Sequence, residues 1–185
     1  MSKLHKLGVI GNPIEHSMSP FIHSRFGRYE NISLEYLPYK INEPDFNKFV
    51  KEFFSDKYAK GLNVTLPYKK KASEISGDIS KEAKYINAVN TITNYKNKLS
   101  LASTDGFGFI DDINSKKFDL ENKKILIIGA GAASESVLYK VAKSKVNAIT
   151  ILNRTKEKSE KFQRKYSSIV PISLDANSDC EFDLI

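Results

Sequence analysis

The sequence has 185 residues, 41% of them hydrophobic and 28% charged, enough apolar content to bury the core of one large or two small domains and to exclude wholesale disorder. Its longest apolar run, Ile125 to Ile128, falls far short of the roughly 18 residues of a membrane helix, which excludes a membrane partner. The net charge of +7 brings nucleic acid into view, but the lysines are diffuse. The run Lys69-Lys70-Lys71 is short, and Glu157 and Glu160 interrupt the segment from Lys156 to Lys165. This reads as a lysine-rich solvated surface rather than a groove tracking a phosphate backbone, and a small anionic ligand fits it as well. The single cysteine, Cys180, and the polar start Met1-Ser-Lys-Leu-His-Lys exclude a disulfide framework, a cysteine-rich metal site and a signal peptide, so a cytoplasmic location is expected.

In chain order, Leu7 to Ile10 reads as a strand closed by the turn Gly11-Asn12-Pro13. Ser19-Pro20 reads as a helix start, with Ser19 as the N-cap and Phe21, Ile22, Arg25, Phe26 and Tyr29 at near-helical spacing. A strand is expected near Leu34 to Ile41, then an amphipathic helix carrying Phe46, Phe49, Val50, Phe53 and Phe54. The alternation of Leu62, Val64 and Leu66 predicts a third strand, so the first third reads β-α-β-α-β and favours a sheet with crossover helices. Thr91 to Tyr95 and Lys98 to Ala102 alternate with period two around Lys96-Asn97, the pattern of a hairpin that ends a first domain. Lys123 to Ile128, the turn Gly129-Ala130-Gly131-Ala132-Ala133-Ser134, a helix face at Val137, Leu138 and Val141, and a strand from Ala148 to Leu152 then form one βαβ unit. A helix from Thr155 to Tyr166 and a strand near Ile169 to Ile172 follow, and Glu181 to Ile185 reads as the start of another strand.

A Gly-x-Gly turn between a strand and a helix brings backbone N–H groups and the positive end of a helix to a pyrophosphate. Gly129 and Gly131 stand at that junction, with Ser134 where a third Gly or Ala is usual; the competing reading is a tight turn without ligand. At the end of the next strand, where NAD binders carry an acid, stands Asn153-Arg154-Thr155. Arg154, with Lys156 or Lys158 nearby, suits a 2′-phosphate, so NADP is the expected cofactor. Arg154 also fits a plain loop cation, and Thr155 a helix N-cap. Asn63 and Thr65, two apart in a strand, share a face and suit the hydroxyls of a polyol. Lys69 is a candidate proton donor or acceptor, although three lysines in a row also suit a solvated helix start. Asn90 and Asp105 add an amide and a carboxylate near strand ends, where turn and cap roles are the alternative.

Taken together, Gly11-Asn12-Pro13, His16-Ser17-Met18-Ser19-Pro20, Asn63 to Lys69, Ala88-Val89-Asn90-Thr91, Thr104-Asp105-Gly106-x-Gly108, Gly129-x-Gly131 and Asn153-Arg154-Thr155 resemble the shikimate dehydrogenase family in order and spacing, across the whole chain. The resemblance implies an α/β protein with an N-terminal shikimate-binding domain at residues 1–103 and a Rossmann NADP-binding domain at residues 104–185, the active site lying in the cleft between them. It implies reversible NADPH-dependent reduction of 3-dehydroshikimate to shikimate, a step toward chorismate and the aromatic amino acids. Ser17 and Ser19 would hold the substrate carboxylate, Asn63, Thr65, Asn90 and Asp105 its ring hydroxyls, and Lys69 and Asp105 would form the catalytic pair. Gly129, Ala130, Gly131, Ala132, Ala133, Asn153, Arg154, Thr155 and Lys158 would bind NADP, with no metal. Ser103 stands where Asn usually precedes Thr-Asp-Gly. Family members continue beyond this point into further strands and a returning helix, so a partial chain with a cut-short Rossmann domain is expected, open at its last sheet edge to a homodimer contact and of little activity on its own. A quinate/shikimate dehydrogenase and a nucleotide-binding module without turnover are the alternatives.

Overall fold

The computed structural model describes residues 4–176 and 181–185; Cys180 lies outside the described residues. The chain forms two compact units, Met1–Ser103 and Thr104–Ile185. Among the described residues no helix is long and apolar enough to cross a membrane.

The first unit is built on strands β1 (His5–Gly11), β2 (Leu34–Lys40), β3 (Ala59–Val64), β4 (Asp78–Ile79), β5 (Thr91–Tyr95) and β6 (Lys98–Ala102) in the order β2-β1-β3-β5-β6-β4. β1 runs parallel to β2 and β3, as crossover helices require, while β5 is antiparallel to both β3 and β6. The hairpin is as expected: Lys96 and Asn97 both have positive φ, at 50° and 62°, the backbone a type I′ turn demands. Helices α1 (Ser19–Tyr29), α2 (Phe46–Ser55), α3 (Lys69–Ala72) and α4 (Lys81–Ile86) complete the unit.

The sheet has two unlike faces. Ile10, Leu62, Val64 and Ile92 point to one side, where Phe46 and Val50 of α2 join them in the main core; each such buried side chain contributes about 1.5–3 kcal/mol. Tyr39 packs there against Phe49 with centroids 4.9 Å apart. The other face carries a smaller cluster of Val9, Ile14 and Tyr36, and the polar residues of the candidate site belong to it.

Three sequence expectations are corrected in this unit. β3 stops at Val64, and Leu66 is 71% exposed: Pro67 has no N–H to continue a ladder, and the chain turns into α3. Thr65 is therefore not on a strand, although its N–H still reaches the Ile10 carbonyl at 2.9 Å. Ser19 is not the N-cap of α1. Met18 holds that position, Ser19 is the first helical residue, and the Ser17 hydroxyl accepts the Ser19 N–H at 3.3 Å, so the local capping oxygen comes from two residues earlier.

The second unit has three parallel strands, β7 (Lys124–Ile128), β8 (Ala148–Leu152) and β9 (Ile172–Ser173), in that order. Helices α5 (Asp105–Ser115), α6 (Ala132–Val141) and α7 (Lys156–Tyr166) bury Ile113, Leu138, Val141, Phe162 and Tyr166 with Ile125, Ile149 and Ile151. β9 begins later than the sequence suggests, because Ile169 and Val170 still fold back onto the Tyr166 carbonyl at the end of α7. Near the C-terminus, Leu184 bridges Ile125 in parallel, its carbonyl accepting the Leu126 N–H at 2.9 Å. Asp105, expected near a strand end, is the first residue of α5, where a carboxylate complements the helix dipole.

Candidate active site

Register decides which side chains of the first unit meet. Leu7 pairs with Tyr36 and Gly61, Val9 with Asn63, and Asn63 with Thr91. Paired residues and those two apart share a face, so Tyr36, Asn63 and Thr91 all rise from the side opposite the main core. Tyr36 donates its hydroxyl hydrogen to Asn63 Oδ1 at 2.8 Å, and the nearby Ser19 hydroxyl works against the upward push of burial on the Tyr36 phenol. Thr91 donates to Asn90 Oδ1 at 2.9 Å, while Asn63 Nδ2 lies 3.4 Å from Thr91 Oγ1 and 3.5 Å from the Asn90 carbonyl. Tyr36, Asn63, Thr91 and Asn90 thus form one chain of polar groups, with the Ser19 hydroxyl near Tyr36. Burial pushes the Tyr36 phenol up to about 12, leaving it a donor at neutral pH.

The lysine run is not uniform. Lys69 is half-buried at the start of α3, and its carbonyl accepts the N–H of Val89, next to Asn90, at 2.8 Å. Lys70 is exposed, and Lys71 donates to the Glu43 carbonyl at 2.6 Å. Among the candidates in this unit, Asn63 and Asn90 are linked through the Thr91 hydroxyl. Lys69 adjoins them through backbone, Ser17 caps α1, and Thr65 sits just past β3. Tyr36, which donates to Asn63, was not singled out in the sequence; its signal was a tyrosine at an inward strand position, where a phenol must find a partner.

In the second unit the Gly-rich turn is held by backbone and one amide. Gly129 has φ of +110°, a conformation open to glycine and strained for other residues. Asn153 accepts the Ala130 N–H at 3.1 Å and donates to the Thr155 carbonyl at 2.7 Å, so its side chain ties the turn to the end of β8. Gly131, the N-cap of α6, has φ −101° and ψ 178°, and makes no side-chain cap bond. A Cβ there would meet nothing within 4 Å. Neither conformation nor packing explains this glycine, while close approach of an outside group to the first turn of α6 does. The residues therefore fit a dinucleotide pyrophosphate.

Beside the turn lies a cavity of about 450 Å³ lined by Ile128, Gly129, Asn153, Arg154, Lys156 and Leu174 among others. It offers two cations and apolar walls, and Asp175 adds a carboxylate to its lining. Lys158 is not among its lining residues: two residues along a helix turn the side chain by about 200°, so Lys156 and Lys158 face different ways. Thr155 occupies the N-cap of α7 without a side-chain cap bond. Asp105 is half-buried and followed by Gly106, whose N–H donates to the buried Ser136 hydroxyl at 2.9 Å. A Cβ on Gly106 would stand 2.2 Å from the Ser136 carbonyl oxygen, so only glycine lets α5 and α6 approach so closely. Among the described residues no group of three or more His, Cys, Asp or Glu is placed to hold a metal ion.

Residues 9–92 match the family described as the shikimate dehydrogenase substrate binding domain, and residues 112–180 match the family of shikimate / quinate 5-dehydrogenases. A shikimate dehydrogenase (NADP(+)) of Actinobacillus pleuropneumoniae is 36% identical over 187 residues, covering 98% of this chain and 67% of that protein. The chain belongs to the shikimate dehydrogenase family. A Legionella pneumophila relative, also a shikimate dehydrogenase (NADP(+)), is 39% identical over 166 residues, 90% of this chain and 62% of its own length. The crystal structure of shikimate dehydrogenase from Aquifex aeolicus superposes with a TM-score of 0.85 at 33% identity, covering 96% of this chain and 64% of that one. The chain thus spans less than two thirds of the length of the Legionella relative.

Proposed function

We propose that this chain supplies the substrate-binding unit and the cofactor-binding turn of an NADP-dependent shikimate dehydrogenase, which interconverts 3-dehydroshikimate and shikimate. The observation that carries the reading is the linked set Tyr36, Asn63, Thr91 and Asn90 beside Lys69 in a family member. It is a polar cluster on one face of the sheet, with the donors and acceptors a ring polyol requires.

In this reading Ser17 and Ser19 bind the substrate carboxylate, and Asn63, Thr65 and Asn90 the ring hydroxyls. Lys69 polarises the ketone and gives a proton to its oxygen as the alkoxide forms. Asp105 binds a ring hydroxyl and completes the catalytic pair as the orienting partner. The uncapped start of α6 at Gly131 and Ala132 receives the pyrophosphate, with Ala130 and Ala133 adjoining it, and Arg154 with Lys156 receives the 2′-phosphate. NADPH, when bound, supplies the hydride. The residue-by-residue roles are supported by motif position, the cofactor choice by the cations at the end of β8 and by the NADP-dependent relatives. Residues 1–103 are the shikimate-binding domain in this proposal and 104–185 the NADP-binding domain. A single cysteine supports a cytoplasmic setting.

The test is twofold. Shikimate titrated into this chain should shift the amide signals of Asn63 and Asn90, and the protein carrying this chain should oxidise NADPH when 3-dehydroshikimate is added. Absence of both would remove the assignment.

A further inference from the structure

We propose that Tyr36 is a positioning residue of the substrate site, its hydroxyl holding the Asn63 amide in one fixed arrangement. The inference rests on the reading of Asn63 as a substrate ligand. Tyr36 is 7% exposed and belongs to the small cluster with Val9 and Ile14. His23 stacks on its ring with centroids 4.2 Å apart and planes within 7°, so the phenol has little freedom to turn. Its hydroxyl reaches from β2 to Asn63 on β3.

The direction of these bonds matters for selectivity. Asn63 Oδ1 accepts from Tyr36, which fixes the amide so that its NH₂ side faces Thr91 Oγ1 and the Asn90 carbonyl at 3.4 and 3.5 Å. Those distances are long for hydrogen bonds, so the NH₂ group retains capacity for a better acceptor. Turned over, the same amide would offer an acceptor in that place and leave its donors against Tyr36. The phenol therefore makes Asn63 a donor to the oxygen of a substrate hydroxyl, and a hydroxylated ring is the ligand class such an arrangement selects.

Tyr36→Phe keeps the ring and its stack on His23 and removes the hydroxyl. In the ligand-free chain, the side-chain NH₂ resonances of Asn63 should move to different chemical shifts in Tyr36→Phe. Shikimate affinity should fall about three- to tenfold, the loss of a neutral hydrogen bond, with little change in melting temperature. Asn63→Ala should weaken binding less in the Tyr36→Phe background than alone, because the two residues act as one unit. An Asn63 amide unaltered by Tyr36→Phe, or strictly additive losses, would overturn the inference. If the unmutated chain binds no shikimate, the substrate reading fails, and the amide measurement alone then decides whether Tyr36 positions Asn63.

Discussion

The two units assemble their candidate sites from different materials. In the first, side chains from β2, β3 and β5 interlock through Tyr36, Asn63 and Thr91, and each has to be the right residue. In the second, the main features are backbone: a positive φ at Gly129, an uncapped helix start at Gly131, and a single amide, Asn153, joining two loops. A side-chain site recognises the shape and hydroxyl pattern of one substrate, whereas a backbone site recognises a phosphate wherever one is presented. Substitutions should therefore act differently in the two units, through chemistry and affinity in the first and through conformation in the second.

The largest expected effect lies in the first unit. Lys69→Ala in the protein carrying this chain should lower the rate of 3-dehydroshikimate reduction by about 10² to 10⁴, the usual contribution of a general acid. Lys70→Ala, at an exposed position, should leave it unchanged, and Lys71→Ala should touch only the contact with Glu43. Steady-state kinetics on the three variants separates them. Equal losses would show that the lysine run acts as a single basic surface.

Next comes the close approach of α5 and α6. Gly106→Ala places a methyl group 2.2 Å from a backbone oxygen, which no rotamer change relieves. It should destabilise the second unit by about 1–3 kcal/mol or more and displace Asp105 with the start of α5. Urea unfolding followed by a probe in that unit reads it; an unchanged midpoint would mean that α5 packs elsewhere. Arg154→Ala should be milder for stability, since the side chain is exposed. It should nevertheless cost NADP about 1.5–3 kcal/mol of charge-assisted bonding. Calorimetry with NADP and NAD should then show their affinities drawing together by at least about tenfold.

What was legible in the sequence follows from how local each feature is. The hairpin at Lys96-Asn97, strand β8 and the Gly-rich turn are contained in short stretches whose residue types carry their own backbone preference, and they stand where the pattern puts them. The elements α3, β4 and α4 have 4, 2 and 6 residues, too few for periodicity to register. Helix α5 was obscured because Gly106 and Gly108 interrupt its apolar spacing, and the first of these is present for packing rather than for turning. Tyr36 was illegible for another reason. Its partner Asn63 is 27 residues away, and only the register of three strands brings them to one face. Ser-Pro is a strong local signal for a cap at Ser19, yet the chain enters α1 one residue earlier, with Met18 at the cap position.

The smallest expected effect tests the backbone half of the comparison directly. Gly129 and Gly131 sit in the same turn, but for different reasons. Gly129 needs its +110° φ, so Gly129→Ala should cost about 1–3 kcal/mol of stability whether or not a nucleotide is present. Gly131 has an ordinary extended backbone, and a Cβ there meets nothing in the protein, so Gly131→Ala should shift stability by less than about 0.5 kcal/mol. Its effect should appear only when a phosphate approaches the start of α6, as a loss of roughly 1 kcal/mol in NADP affinity from one weakened backbone bond. Thermal melts of both variants with and without NADP distinguish the two roles. A stability loss at Gly131 in the absence of nucleotide would mean that the turn itself requires that glycine, and the strongest structural sign of a phosphate site in the second unit would then be explained by the fold alone.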